Sequence, residues 1–133
     1  MTNLTRVGKN SEKKTVSASA VTVKAGDVAD ASNELFVLPP NALIVASYCI
    51  VKVAGQASLT VDFGFDGGAE LGNDLDIDGA AVVEGLADAG ALDTGTGKTV
   101  TALFSATPSA GEFVFIVEYV EYNKGCGDLT NLV

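Results

Sequence analysis

The sequence predicts an all-β chain: an antiparallel β-sandwich, jelly-roll-like, with an extended N-terminal arm. Three observations predict it. Apolar residues alternate with polar ones at a period near two in segment after segment, the spacing that turns one side of a strand toward a core. The 15 glycines fall largely between those segments, with Asp, Asn and Pro, where turns need them. Stretches rich in Glu, Lys, Gln and Arg, which helices favour, are thin, while β-branched residues are plentiful. At 133 residues and 47% apolar the chain is one domain with a real core. Trp is absent, so Ala, Val and Leu must do most of the packing.

The elements follow in order. Residues 1–14 (MTNLTRVGKNSEKK) are polar and basic, without period, and form the arm; residues 15–123 hold the sandwich and 124–133 a tail. From Thr15, TVSASAVTVK alternates as a half-buried strand. A loop with Gly26, Asp27, Asp30 and Asn33 leads to Glu34–Leu38, which Pro39 and Pro40 must end because proline has no amide to donate. Ala42 to Ala54 is the most apolar segment, rich in Val and Ile and without a helix cap, and reads as a long central strand. In Ser58 to Phe65, Leu59, Val61, Phe63 and Phe65 share one face, and Asp66-Gly67-Gly68 signals a turn. Residues 69–98 are the least regular and predict loops, one or two short strands and a helical turn. Thr99 to Ala106 and Glu112 to Tyr122 return to strand character around a Pro108–Gly111 turn. The total of about seven or eight short strands fits a sandwich or jelly roll.

Charge is divided along the chain. The first 24 residues carry Arg6, Lys9, Lys13, Lys14 and Lys24 against Glu12, a net of +4. The other 109 carry Lys52, Lys98 and Lys124 against sixteen Asp and Glu, a net of −13. A body so acidic repels phosphate and anionic lipid over about a Debye length, so neither nucleic acid nor a membrane is the expected partner. No stretch approaches the roughly 20 apolar residues of a membrane helix. The polar opening residues lack a signal-peptide core, which predicts synthesis in the cytoplasm. No histidine is present, so histidine-based triads and most zinc sites are excluded by inventory. Cys49 lies in an apolar run, where an inert buried thiol is expected; Cys126 lies 77 residues on between two glycines, and nothing in the sequence supports their pairing.

Four motifs carry a chemical suggestion. Gly95-Thr96-Gly97-Lys98-Thr99 matches the end of a phosphate-binding loop, but the first required glycine falls on Leu92, and a strand pattern follows where a helix should open. A glycine turn entering a strand is the better reading. Asp93-Thr94-Gly95 is the triplet of aspartic proteases, yet it stands late in the chain and no matching second motif follows. Asp74, Asp76 and Asp78, followed by Gly79, match the front half of an EF-hand loop, but the position of the closing glutamate is Gly85. A solvated acidic loop is expected; a calcium site on Asp74, Asp76 and Asp78, with Asp66 or Glu70, is the alternative, since a cation would relieve their repulsion. Glu118 and Glu121 could form an acid–base pair, but their opposite parity on a strand points them to opposite faces, as edge or solvent-face charges.

The order of segments then becomes informative. Glu34 to Val45 (ELFVLPPNALIV) is followed by a strand, then by Leu59 to Gly64 (LTVDFG), and the series closes with Ala110 to Val120 (AGEFVFIVEYV). This layout, over about residues 16–122, resembles the small decoration or cement proteins of tailed bacteriophages, in which an LP-x-x-A bend, a T-x-D-x-G strand and a closing E-x-x-x-x-V-x-Y strand recur. Asn123-Lys124-Gly125-Cys126-Gly127 departs from the DGR endings frequent among them. The resemblance implies a non-enzymatic β-sandwich, trimeric, on the outer capsid surface of a virion, bridging subunits of the major capsid protein. Arg6, Lys9, Lys13 and Lys14 are then the candidate capsid-binding residues. The residue-level reading agrees: an empty catalytic inventory, abundant strand and a basic arm that gains interface on docking suit a protein partner. A homotrimer is also expected because a tryptophan-free core is modest for this length. The competing class is a secreted or surface β-sandwich that binds carbohydrate. Such modules stack sugars on exposed aromatics, and here most Phe and Tyr fall in core patterns. A small hydrolase is the third class, and without histidine no nucleophile–base pair can be assembled for it.

Overall fold

In the computed structural model, residues 16–28, 31–79, 81–84 and 93–122 are described. The basic arm, the tail with Cys126 and residues 85–92 lie outside them. Eight strands run β1 Ser17–Lys24, β2 Ser32–Leu38, β3 Ala42–Val53, β4 Thr60–Phe65, β5 Gly72–Asp76, β6 Val82–Glu84, β7 Lys98–Phe104 and β8 Glu112–Glu121. A single 3-10 turn, Ala25–Asp27, follows β1; no helical element occurs among the described residues of 69–98.

The pairing is that of one long hairpin bent back on itself. β1 pairs with β8, β2 with β7, β3 with β6 and β4 with β5, all antiparallel. Further β3–β8 and β4–β7 pairs gather the strands into two four-stranded sheets, β1-β8-β3-β6 and β2-β7-β4-β5. This is the jelly-roll order. The midpoint is Phe65-Asp66-Gly67-Gly68, where the Gly68 amide donates to the Phe65 carbonyl at 2.9 Å. Asp66 (φ 50°) and Gly67 (φ 87°) both take left-handed backbone, the signature of a type I′ turn and the reason for Asp-Gly here. Gly64 is required by close approach: a Cβ there would lie 2.5 Å from the carbonyl carbon of Gly68.

The core forms between the sheets from the alternation the sequence displays. Leu59, Val61, Phe63 and Phe65 are all buried, as are Val100, Ala102 and Phe104, and Phe113, Phe115 and Val117. Aromatic contacts cross the layers: Phe63 to Phe115 with ring centroids 5.0 Å apart, Phe104 to Phe113 at 5.8 Å and Phe104 to Phe115 at 6.3 Å. The buried Ser47 hydroxyl donates to the Leu71 carbonyl at 2.7 Å, tying β3 to the approach to β5. Register shifts break the simple period at four places among the described strands, and two of them decide which side chains face inward. One between Ile44 and Ala46 reverses the phase of β3, so that Ala42 and Ile44 and then Ser47, Cys49 and Val51 face inward. The other lies between Glu34 and Phe36 in β2. β8 runs between β1 and β3, so Glu118 and Glu121 are not on an edge strand.

Cys49 is a fully buried free thiol, and burial pushes its pKa up to about 12. The thiol stays protonated in the fold while an unfolded chain would ionise near the ordinary thiol value of 9.0, so stability from this group is lost as pH rises from about 9 toward 12. Chemical denaturation between pH 8 and 11 should show a declining slope approaching about 1.4 kcal/mol per pH unit from this site, absent in Cys49→Ala.

A candidate protein-docking surface

The two sheets turn unlike faces to solvent. On β8, Phe113, Phe115 and Val117 point inward, so Val114, Ile116, Glu118 and Val120 point out. The register extends these positions across the sheet. Thr22, Val114, Ile50 and Val82 form one row; Ala20, Ile116, Tyr48 and Glu84 the next; then Ala18, Glu118 and Ala46; and Val120 beside Leu43. By register the band is apolar apart from Thr22, Glu84 and Glu118, and Val82 (63%) and Leu43 (46%) remain largely accessible. At one end Glu112 sits between Lys24 (3.9 Å) and Lys52 (3.4 Å), exposed pairs that add little to stability.

The outer side of the other sheet is polar and acidic. It presents Ser32 and Glu34 from β2, Thr99 from β7, Thr60 and Asp62 from β4, and Asp74 and Asp76 from β5. Val37 and Leu103 are its apolar exceptions, and no described Lys or Arg lies on it. One face is therefore costly to leave in water and the other costly to remove from it.

Of the predicted cation residues, Asp76 and Asp78 accept backbone hydrogen bonds, while Asp74 donates its amide. The Ser58 amide donates to Asp78 Oδ2 at 2.9 Å, the Asp78 amide to Asp76 Oδ1 at 3.2 Å and the Asp74 amide to Asp62 Oδ1 at 2.9 Å. Hydrogen bonding with Asp76, then with the Ser58 amide, holds the Asp78 carboxyl below its usual pKa. Among the described residues no three acidic or thiol side chains converge to hold a metal ion. Arg6, Lys9, Lys13 and Lys14 lie outside the described residues.

The remaining motifs have structural places. Thr94 is buried; its hydroxyl donates to the Pro39 carbonyl (2.8 Å) and accepts from the Ala42 amide (2.9 Å). Asp93 accepts from the Gly95 amide and from the Tyr122 hydroxyl, which raises the Tyr122 pKa. The Asp93-Thr94-Gly95 triplet thus clasps the Pro39–Ala42 bend to the end of β8. Gly95 (φ 59°) and Gly97 (φ 115°) make a turn from which Lys98 opens β7, a strand and not a phosphate-binding helix. Beside it an open cleft of about 570 Å³ is lined by Pro39, Pro40, Lys98, Tyr119 and Glu121, among others.

No family model matches the chain, and no curated protein matches it. Solved structures do. A chain in the capsid of Ralstonia phage GP4 is 23% identical with a TM-score of 0.65, over 84% of this chain and 86% of that one. The fold is shared with phage capsid chains. A chain of the cyanophage Pam1 capsid asymmetric unit is 15% identical with a TM-score of 0.53, over 83% of this chain and 86% of that one. One from the acid-stable capsid of Helicobacter pylori bacteriophage KHP30 is 19% identical with a TM-score of 0.50, over 81% and 91%. In each pair the two shares are similar, so these three chains are of about this chain's own length.

The apolar outer band had escaped the sequence reading, although a signal existed. Phe113-Val114-Phe115-Ile116-Val117 is apolar at odd and even positions alike, which in a strand means that both faces are apolar.

Proposed function

We propose that this chain is a non-enzymatic structural protein of a bacteriophage virion, a decoration protein on the outer capsid surface that bridges subunits of the major capsid protein. The observation that carries the reading is the pair of unlike faces on a fold shared with capsid chains. Docking the band around Ile116, Tyr48 and Ile50 on the shell removes apolar area from water at about 25 cal/mol per Å². The acidic sheet then faces solvent, where its carboxylates stay hydrated and keep decorated particles apart. Many symmetric copies on one shell offset weak single contacts. The basic arm adds attraction: Arg6, Lys9, Lys13 and Lys14 dock into an acidic groove between capsid subunits.

Purified protein mixed with expanded capsids of its phage should co-sediment with saturable occupancy. Deleting residues 2–14 should leave the sandwich folded and lower occupancy at low salt. That deficit should fade toward 1 M salt, where the Debye length falls to about 3 Å. Protein left wholly in the supernatant, or turnover of a peptide or glycan, would overturn the proposal. Equal occupancy of both forms at every salt concentration would remove the arm from it.

A further inference from the structure

Among the described residues four strands form the sheet edges, and three of them carry features that prevent pairing with another chain. β6 has three residues. β5 presents Asp74 and Asp76, with Asp74 in left-handed backbone (φ 49°) and a register shift against β4. β2 is bulged between Glu34 and Phe36, carries Glu34, and runs into Pro39 and Pro40. Short length, charge, bulges and proline are the devices by which natural sheets blunt their edges. β1 has none of them between Ser17 and Val23. It is eight residues long and pairs with β8 in unbroken register from Ser17 to Lys24. Its sequence, SASAVTVK, holds no proline and no charge before its last residue. Among the described residues no further strand pairs with its outer edge.

We infer that β1 is the contact strand of a two-fold dimer, in which β1 of one copy pairs antiparallel with β1 of a second. The occupant follows from charge and shape. Two chains of net charge −9 repel over most of their surfaces, and β1 offers an uncharged edge where they can meet. Lys24 stands at one end of β1, so antiparallel pairing puts the two lysines at opposite ends of the ladder, whereas parallel pairing would set them side by side. The Ser and Ala side chains at 17–20 let a second backbone approach. The contact is self-complementary, as a two-fold requires. It joins two four-stranded sheets into one of eight strands and brings Ala18 and Ala20 of both copies together, making the two apolar outer bands continuous. This pair and the homotrimer anticipated from a modest core are distinct outcomes of one mass measurement.

Sedimentation equilibrium of the full chain without capsids tests this inference separately from the capsid proposal. The expected mass is twice 13.5 kDa. In a strand, backbone groups of successive residues point to opposite edges, so of Ser19→Pro and Ala20→Pro one removes an amide facing β8 and the other an amide on the free edge. The first should damage the fold; the second should give a folded monomer, with the dimer dissociation constant raised at least about tenfold. Ala20→Glu, which sets like charges near each other across the two-fold, should weaken the dimer while leaving the fold intact. A monomeric wild type overturns the inference, whether its own chain covers β1 or the strand is kept for another partner. So does a trimer, a dimer that survives in both proline variants while folded, or one unaffected by Ala20→Glu.

Discussion

Truncating Phe115 to alanine is expected to destabilise the sandwich by about 3–5 kcal/mol. The ring is fully buried at the centre of β8 and touches Phe63 and Phe104 of the facing sheet. Without tryptophan, and with six phenylalanines in the whole chain, few side chains can move in to fill the cavity. Domains of this size have total stabilities of about 5–15 kcal/mol, so the loss is a large fraction of what holds the fold. Val37→Ala, at a side chain 70% exposed, should stay within about 0.5 kcal/mol of wild type. Urea unfolding of both variants checks the contrast. A loss below about 1 kcal/mol at Phe115 would show that the inter-sheet aromatic cluster is not the centre of the core.

Placing lysines on the outer band, Ile50→Lys together with Ile116→Lys, is expected to lower capsid affinity at least about tenfold, or 1.4 kcal/mol, with the fold retained. Both side chains project from the face opposite the core, and a lysine stem can lie along the band while its ammonium reaches water. Glu34→Gln with Asp62→Asn changes charge by the same amount on the other sheet and should leave affinity within about twofold. The paired comparison separates a face-specific contact from a general effect of reducing the net negative charge. Equal losses from the two double variants would assign binding to overall charge.

Much of the fold was legible because alternation and turn chemistry are local. Leu59, Val61, Phe63 and Phe65 declared their shared face, and Asp66-Gly67 declared the turn at which the jelly roll folds back. The order of strands was not legible, since β1 meets β8 across almost the whole chain and no local pattern encodes that distance. The β3 bulge was hidden as well: in Ala42–Val53 the residues on both faces are apolar, so a phase reversal leaves no trace in composition. The docking band was missed for a related reason. An apolar run in a strand is first assigned to the core, and only the register shows which half of it faces out. Asp74, Asp76 and Asp78 looked like a ligand set by spacing alone. Asp76 and Asp78 accept backbone hydrogen bonds, and no metal-holding group forms among the described residues.

The most direct measurement is an image reconstruction of capsids saturated with this protein, at a resolution that separates its two sheets. The account predicts the sandwich on the outer surface, with the β1-β8-β3-β6 sheet against the shell, Ile116 and Tyr48 at the contact, and Asp62 and Asp76 toward solvent. A sandwich seated with its acidic sheet on the shell, or capsids that stay bare at saturating protein, would contradict it.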